Sequence, residues 1–423
     1  MTERSEAAGQ RLTTRETAER LGVKPETVYA YVSRGQLSSS RAPGGRGSTF
    51  DAAEVDALAR RTGRREPASA SGEPAVRTGI TLIADNRYYF RGVDATELAS
   101  RYAYEEVAEW LWTGELRPGI RFTAPEQAVA AARRAVGALP VHCGSTDRLR
   151  VAVVAAAAAD PLRFDLSRET VLGGARSLIP ALVAALPTAG GRESGTADPD
   201  EPGASSGLAA QLWPKLTARR PDEPSLAVLD TALALLIDHD LAASTLAARV
   251  AASARAHPYA VVSAGLGVLE GPLHGAASGL AHRMLAEVLE RGGAAPVVAD
   301  HLRAGRRVPG LGHRLYTGED PRARTLFGLL ERVPQAGPAL AAARDVVATT
   351  ARDVPLHANV DLALAVLSAA SGMPAEAGET VFAISRTAGW IAHALEEYGE
   401  RPLRMRPSGH YTGPRPPQPP PSP

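Results

Sequence analysis

Lysine, cysteine and aromatic residues are all scarce in this chain of 423 residues. Lys24 and Lys215 are its only lysines, so nearly every positive charge belongs to an arginine. A single cysteine, Cys143, excludes a disulfide framework, a zinc site built from cysteines and an iron–sulfur cluster. The 47 basic and 46 acidic residues nearly balance, so no global charge attracts the protein to nucleic acid or to a membrane.

Long apolar segments are also missing. The N-terminal residues lack the apolar region of a signal peptide, and no uninterrupted apolar run reaches the length of a membrane-spanning helix. We therefore expect a cytoplasmic protein without a membrane partner. The hydrophobic (44%) and charged (22%) fractions are typical of a globular protein, and the length suggests two or three domains. Abundant alanine and few β-branched runs favour a mostly helical, all-α fold.

Compositional breaks predict the domain boundaries. Residues 62–78, rich in Pro, Gly and Ser, indicate a linker, and residues 188–206 indicate a loop or insertion between helices. The tail at 414–423 is proline-rich, and we expect it to be extended and disordered. A small domain over residues 1–61 would then precede the larger remainder.

Helix signals follow one another closely in the first block, at residues 1–61. Thr13-x-x-Glu16 forms a capping box for a first helix, and Pro25 suits the first turn of a second helix that ends at Gly35. A Gly-rich excursion over 41–49 precedes a third helix opened by Asp51. The segment TTRETAERLGVKPETVYAYVSRGQL resembles the winged helix-turn-helix module of MerR-like and excisionase-like domains, in which the second helix enters the major groove of DNA.

DNA is therefore a possible partner of this first block. The candidates for phosphate contact are Lys24, Arg34, Arg41 and Arg46. The local charge gives only weak support for DNA binding, because 12 basic and 9 acidic residues over 1–66 leave a net charge of only +3. A helical domain used for packing or oligomerisation is the alternative.

Most of the ten histidines show no spacing typical of a metal site or of a catalytic pair. A lone histidine is more often a satisfied core or surface residue than a ligand, and we set seven aside on that ground. These seven are His142, His257, His282, His301, His357, His393 and His410.

Three other residues have more informative surroundings. His274 lies in GPLHGAASG, at a break between helices, and His313 lies in the Gly-rich loop segment VPGLGHRLYTGEDPRAR. Asp361 follows PLHANV and begins a helix, so it is either an N-cap or a base exposed at a helix start.

Residues 79–413 resemble citrate synthase. The resemblance rests on five segments in the family's order: GITLIADNRYYFRGVDATELA, LLIDHDLAASTLAARVAASARAHPYAVVSAGLGVLEGPLHGAA, PGLGHRLYTGEDPRAR, NVD and SRTAGWIAHALEEYGERPLRMRPSGHYTG. It implies an all-α, two-domain fold in which a large domain (79–274 and 360–413) surrounds an inserted small domain (275–359). It also implies a tight homodimer.

The resemblance further implies an acyltransferase that condenses acetyl-CoA with oxaloacetate and hydrolyses the product to citrate and CoA. Asp361 matches the family's base, and His274 matches the group that hydrogen-bonds the thioester carbonyl. His313 matches the residue that polarises and protonates the keto group of oxaloacetate.

The substrate ligands follow from the same resemblance. Arg322 and Arg386 match ligands of the two carboxylates, which guanidinium groups bind in bidentate fashion. His239 matches a histidine that also binds oxaloacetate, and Arg406 matches an arginine supplied in trans by the partner subunit. No metal or cofactor is implied, since protonated histidines and arginines take the place of a Lewis acid.

Two departures from the family pattern leave alternatives open. Ala276 stands where a second glycine is common, and the aromatic pair often found after the aspartate is missing. These departures leave the shape of the acyl pocket open, and one methylene contributes only about 1–3 kcal/mol to discrimination between acyl groups. A 2-methylcitrate synthase using propionyl-CoA therefore remains an alternative, as does a DNA-binding regulator whose synthase-like part senses a ligand.

Overall fold

The computed structural model describes residues 11–21, 23–41, 47–62, 76–190, 206–271, 274–351, 356–407 and 412–413. Internal contacts divide the chain into two units, with the boundary between Arg77 and Thr78. Each unit has its own apolar core.

The smaller unit combines three helices with a three-stranded antiparallel sheet of order β1-β3-β2. Its elements are β1 (Arg11–Thr13), α1 (Thr14–Leu21), α2 (Pro25–Ser33), β2 (Ser39–Arg41), β3 (Ser48–Asp51) and α3 (Ala52–Thr62). Its core contains Leu12, Leu21, Val28, Phe50 and Val55.

Local capping explains where these helices begin. The backbone N–H of Glu16 donates to Thr13 Oγ1 while the Glu16 carboxylate accepts from the Thr13 N–H, so the predicted capping box is confirmed. Asp51 caps α3 by accepting from the backbone of Ala53 and Glu54. The Glu54 carboxylate accepts hydrogen bonds from the backbone N–H and the hydroxyl of Ser38, and these bonds connect the segment after α2 to α3.

The larger unit is almost entirely helical, as predicted. A small antiparallel sheet of order β4-β5-β6 lies at its start. Its elements are β4 (Thr81–Ala84), β5 (Arg87–Phe90), β6 (Val93–Asp94), α4 (Ala95–Arg101), α5 (Tyr104–Thr113), α6 (Glu126–Gly137), α7 (Ser145–Ala158), α8 (Arg168–Ala185), α9 (Leu208–Leu216), α10 (Glu223–Leu236), α11 (Ala243–Ser253), α12 (Pro258–Leu269), α13 (Ala277–Arg291), α14 (Ala294–Arg303), α15 (Pro321–Leu330), a 3₁₀ turn (Pro334–Ala336), α16 (Gly337–Thr350), α17 (Val360–Ala370) and α18 (Ala377–Gly399).

Helix α18 is the central element of this core. It packs against α8, α10, α11 and α12, and most of its length is buried. Close approach is possible because two contact positions are glycine: Gly265 lies beneath the Trp390 indole, and Gly389 lies against the Ile237 carbonyl. No helix in the described ranges is long and apolar enough to cross a lipid bilayer.

A short backbone pairing places the His313 loop beside the start of α17. Leu311 and Ala358 form an antiparallel bridge, flanked by a hydrogen bond of 2.9 Å from Asn359 N to the Gly310 carbonyl. Asn359 then caps α17 through the Asp361 N–H at 3.0 Å. Asp361 is therefore in the first turn and is not the cap, which rules out one of the two interpretations of this residue.

Candidate active site

Two histidines and a tyrosine form the centre of the candidate site. The His239 and His313 rings lie 5.1 Å apart, and the Tyr316 ring lies 4.8 Å from His313. The Tyr316 hydroxyl is 2.7 Å from His239 Nε2. The turn after α10 is thus in contact with the loop before α15. This contact is needed if His239 and His313 bind one ligand.

Both histidines have lowered pKa values and are neutral near pH 7. Burial, together with the Arg322 guanidinium, lowers the pKa of His313 to about 4 and holds the pKa of His239 well below its usual value. The backbone N–H of Leu315 donates to His313 Nδ1 at 3.0 Å, so the ring proton of His313 is on Nε2. The expectation of protonated histidines concerns the substrate complex, and it stays a prediction.

His274 is half-buried at the start of the segment that leads into α13. Its Nε2 lies 2.8 Å from Ser244 Oγ, and its ring lies 6.2 Å from that of Phe382. Burial and then the Arg386 charge lower its pKa. A neutral imidazole with one nitrogen bonded to a hydroxyl is consistent with the predicted role as a neutral donor.

Arg322 is buried and paired with Asp320. Its Nε and Nη2 bond the two carboxylate oxygens at 3.0 and 2.8 Å. Asp320 also accepts from the Val360 N–H at 3.1 Å, so this pair connects α15 to α17. Asp320 therefore occupies the edge of the guanidinium formed by Nε and Nη2, and no described residue bonds the edge that contains Nη1.

Arg386 lacks such a partner. Its Nε donates to the Leu236 carbonyl at 2.8 Å and its guanidinium lies 4.5 Å above the Phe382 ring. Nη1 and Nη2 are buried, and no described residue forms a hydrogen bond with them. Burial lowers its pKa to about 10, and the charge of Asp238 opposes that shift. Buried donors without acceptors are costly, so these two nitrogens indicate a place for an anionic ligand.

Asp361 has the ionisation expected of a base that works near neutral pH. Burial raises its pKa to about 6; Arg322 lowers it and Asp320 raises it further. Its backbone N–H is satisfied by Asn359, and its carboxylate makes no hydrogen bond among the described residues. A carboxylate held without a donor is more basic than one that accepts hydrogen bonds.

The other predicted residues are solvent-exposed or lie outside the described residues. Arg406 is exposed in a turn after α18, where its N–H bonds the Leu403 carbonyl. In the smaller unit Lys24, Arg34 and Arg41 are exposed, and Arg46 lies outside the described residues.

Sequence reasoning missed a buried polar network behind His239. Arg249 Nη1 donates to His393 Nδ1 at 2.6 Å, and His393 Nε2 donates to Asp238 at 3.1 Å. Asp238 also accepts from Thr81 Oγ1 at 2.5 Å. The spacing of seven residues between Arg386 and His393, two turns of one helix, was the available signal for a shared face.

Two histidines among the seven set aside have ordinary structural partners. His257 caps α12 by accepting from the Ala260 N–H, and His282 bonds the Ser368 hydroxyl. Within the described residues no group of three His, Cys, Asp or Glu side chains is placed to hold a metal ion.

Comparisons with known proteins agree with this geometry. The family model for the citrate synthase C-terminal domain matches residues 69–408, and a helix-turn-helix domain model matches residues 11–63. A citrate synthase of Haloferax volcanii is 33% identical over 338 residues, covering 76% of this chain and 88% of the relative. A 2-methylcitrate synthase of Mycobacterium tuberculosis is 27% identical over 341 residues, covering 78% and 85%.

A solved structure extends the comparison to the fold. The ternary complex of citrate synthase from Thermoplasma acidophilum with carboxymethyl coenzyme A and oxaloacetate superposes with a TM-score of 0.66. It is 23% identical and covers 82% of this chain and 96% of that one.

The Asp320–Arg322 pair predicts a large loss of stability when its acid is removed. Asp320→Asn should lower the free energy of unfolding by about 3–5 kcal/mol, because it leaves the buried Arg322 charge without compensation. Denaturant unfolding measures this loss. The control is Asp300→Asn, which removes an exposed carboxylate paired with Arg291 and Arg303 and should change stability little. Equal effects of the two substitutions would show that the Asp320 pair is not structurally important.

Proposed function

This chain belongs to the citrate synthase family, with a helix-turn-helix domain at its N-terminus, and on that premise we propose that it condenses acetyl-CoA with oxaloacetate. The products are citrate and CoA. The observation that supports this most directly is the pair of unpartnered, buried η nitrogens of Arg386 within the site that contains Asp361.

The dicarboxylate binds between the two buried arginines. The Nη1 and Nη2 atoms of Arg386 form a fork that matches one carboxylate of oxaloacetate. Arg322 offers its remaining edge to the other carboxylate, since Asp320 holds its Nε side. Oxaloacetate is bound, with a coenzyme A analogue, in the similar Thermoplasma structure, which supports this choice of ligand.

Carbon–carbon bond formation then needs three groups. The Asp361 carboxylate takes a methyl proton of the acetyl thioester, and the C–H electron pair becomes the double bond of an enolate whose oxygen accepts a hydrogen bond from His274. The enolate carbon attacks the keto carbon of oxaloacetate. The keto oxygen receives the electron pair and the proton of His313 Nε2. The methyl proton now on Asp361 returns to His313, and water then cleaves the citryl thioester to citrate and CoA.

Propionyl-CoA is the alternative acyl donor. The similarity to a 2-methylcitrate synthase and the replacement of the second glycine by Ala276 favour testing it. An additional methyl group changes affinity by only about 1–3 kcal/mol, so the ratio of kcat/KM for the two donors decides between them.

A thiol-release assay with oxaloacetate and either acyl-CoA tests the proposal. Asp361→Asn should lower kcat by about 10²–10⁴-fold, because the amide cannot take the proton. In the wild type, kcat/KM should rise with pH through about 6, where the raised pKa of Asp361 is crossed and the carboxylate becomes ionised.

Controls for this assay keep binding separate from turnover. Asp361→Asn should retain oxaloacetate binding by calorimetry, and Asp300→Asn should retain full activity. If the wild type binds oxaloacetate but releases no thiol from either acyl-CoA, the chain is a ligand sensor and the proposed catalysis is rejected. A near-normal kcat in Asp361→Asn would reject Asp361 as the base.

We assign Arg406 to the active site of a partner subunit in a homodimer. The exposed position of its side chain at the end of the larger unit is compatible with contact to a second copy. In this arrangement each site takes Asp361 from its own chain and Arg406 from the other.

Mixed dimers test that arrangement. Asp361→Ala and Arg406→Ala homodimers should each be nearly inactive, and after joint refolding about half of the dimers should be mixed. One site of each mixed dimer has both lesions and the other has none, so about a quarter of all sites should recover wild-type kinetics. If Arg406 acts within its own chain, verified mixed dimers will recover no activity.

We further propose that the helix-turn-helix domain binds DNA. The domain model supports it, as do the exposed cations Lys24, Arg34 and Arg41, for which no ion pair is found in the described residues. By contrast, Arg15 pairs with Glu19 and Arg20 pairs with Asp56.

Salt dependence tests this second function. The triple variant Lys24→Ala, Arg34→Ala, Arg41→Ala should weaken binding to a mixed-sequence duplex and reduce the slope of log K against log salt by about 0.9 for each lost phosphate contact. The control Arg15→Ala removes an arginine that is already paired and should leave the slope unchanged. Salt-insensitive or absent binding by the wild type would instead favour a packing role for this domain.

A further inference from the structure

Tyr316 contacts the functional groups on both sides of the site. It is only 4% exposed, its hydroxyl lies 2.7 Å from His239 Nε2, and its ring lies 4.8 Å from that of His313. The Arg322 guanidinium lies 5.9 Å from the centre of the same ring. One side chain therefore adjoins three of the groups to which the proposed function assigns a ligand.

The direction of the hydrogen bond follows from counting donors and acceptors. The phenol has one O–H, and its only hydrogen bond among the described residues is to His239. If His239 Nε2–H donated to Tyr316, both the phenol hydrogen and the lone pair on His239 Nδ1 would lack a partner. If Tyr316 donates to Nε2, only one group, the His239 Nδ1–H, is left without a partner.

Titration does not disturb this arrangement near neutral pH. Burial raises the pKa of Tyr316 above its usual value, and burial with the Arg322 charge keeps the pKa of His239 well below its own. The pair is therefore a neutral phenol and a neutral imidazole, and the position of the single ring proton is the remaining variable.

We propose that Tyr316 is a positioning residue that holds His239 as the Nδ1–H tautomer, so that Nδ1 donates to an oxygen of the bound oxo-dicarboxylate. His313 has the opposite tautomer, imposed by the Leu315 N–H on its Nδ1. The two neighbouring rings then present one donor each, from different ring positions, to the same ligand. The identity of the ligand in this inference rests on the proposed function. The tautomer of His239 does not depend on that function.

Histidine NMR tests the tautomer without any substrate. In full-length protein with ¹⁵N-labelled histidine, the His239 signal, assigned by its loss in His239→Gln, should show the Nδ1–H pattern. In Tyr316→Phe the same signal should shift toward the Nε2–H tautomer, since the partner of Nε2 is gone. An Nε2–H pattern in the wild type would overturn the proposal.

Oxaloacetate binding, measured by calorimetry without acyl-CoA, tests the consequence. Tyr316→Phe keeps the ring and its packing, and we expect it to weaken binding about 5- to 30-fold, the range for losing one buried hydrogen-bonding group. In turnover the KM for oxaloacetate should rise by the same factor, with the KM for acyl-CoA unchanged.

Two further variants separate positioning from packing. In the His239→Gln background, Tyr316→Phe should change affinity less than about twofold, because its effect passes through His239. The control Tyr398→Phe removes a phenol that bonds the Ala256 carbonyl at the far end of α18, and it should not change oxaloacetate affinity. If the losses of oxaloacetate affinity are additive in the double variant, Tyr316 has only a structural role and the positioning role is rejected.

The outcomes also distinguish this inference from the proposed function. If Tyr316→Phe binds oxaloacetate more tightly, the hydroxyl competes with the ligand for His239, and the positioning role is rejected. If the wild type binds no oxaloacetate while NMR shows the Nδ1–H tautomer, the ligand assignment fails and the Tyr316–His239 arrangement stands.

Discussion

The close contact between α18 and the turn after α10 determines the geometry of the whole site. A side chain at Gly389 would overlap the carbonyl oxygen of Ile237, so only glycine allows the two backbones to approach this closely. On either side of this contact, α18 presents Arg386 to the Leu236 carbonyl and His393 to Asp238. His239, the next residue in the turn, is thereby fixed from behind, and its ring is left to face Tyr316 and His313.

Buried positive charge is the main electrostatic cost of this architecture. Arg249 is compensated by Glu396 and Glu397, and Arg322 is compensated by Asp320. Arg386 is as deeply buried, but its η nitrogens have no partner among the described residues, and in the proposed function the ligand compensates this charge. A site that stabilises its own cations completely could not bind a dianion tightly, because the ligand would have to displace the internal carboxylates.

The sequence predicted the parts of this site that depend on local motifs. His274, His313 and Asp361 were located from helix breaks, glycines and a helix start, and the helical fold followed from alanine content and family resemblance. Contacts between residues distant in the sequence left no comparable local pattern. Ser244 contacts His274, 30 residues away in the sequence, and His393 contacts Asp238, 155 residues away. The pKa values of the histidines left no local pattern either, because they depend on burial and neighbouring arginines, which only the folded chain defines.

The lowered pKa values of the histidines have a consequence for proton movement when a dicarboxylate binds. An entering dianion would bring negative charge next to His239 and His313, which raises the pKa of each imidazole and makes its hydrogen-bonded form more favourable. The same charge would raise the pKa of Asp361, already at about 6, unless Arg322 and Arg386 neutralise the carboxylates first. In the proposed function, pairing of both arginines with the ligand therefore keeps Asp361 ionised, and one network of contacts determines both the binding of the substrate charge and the strength of the base.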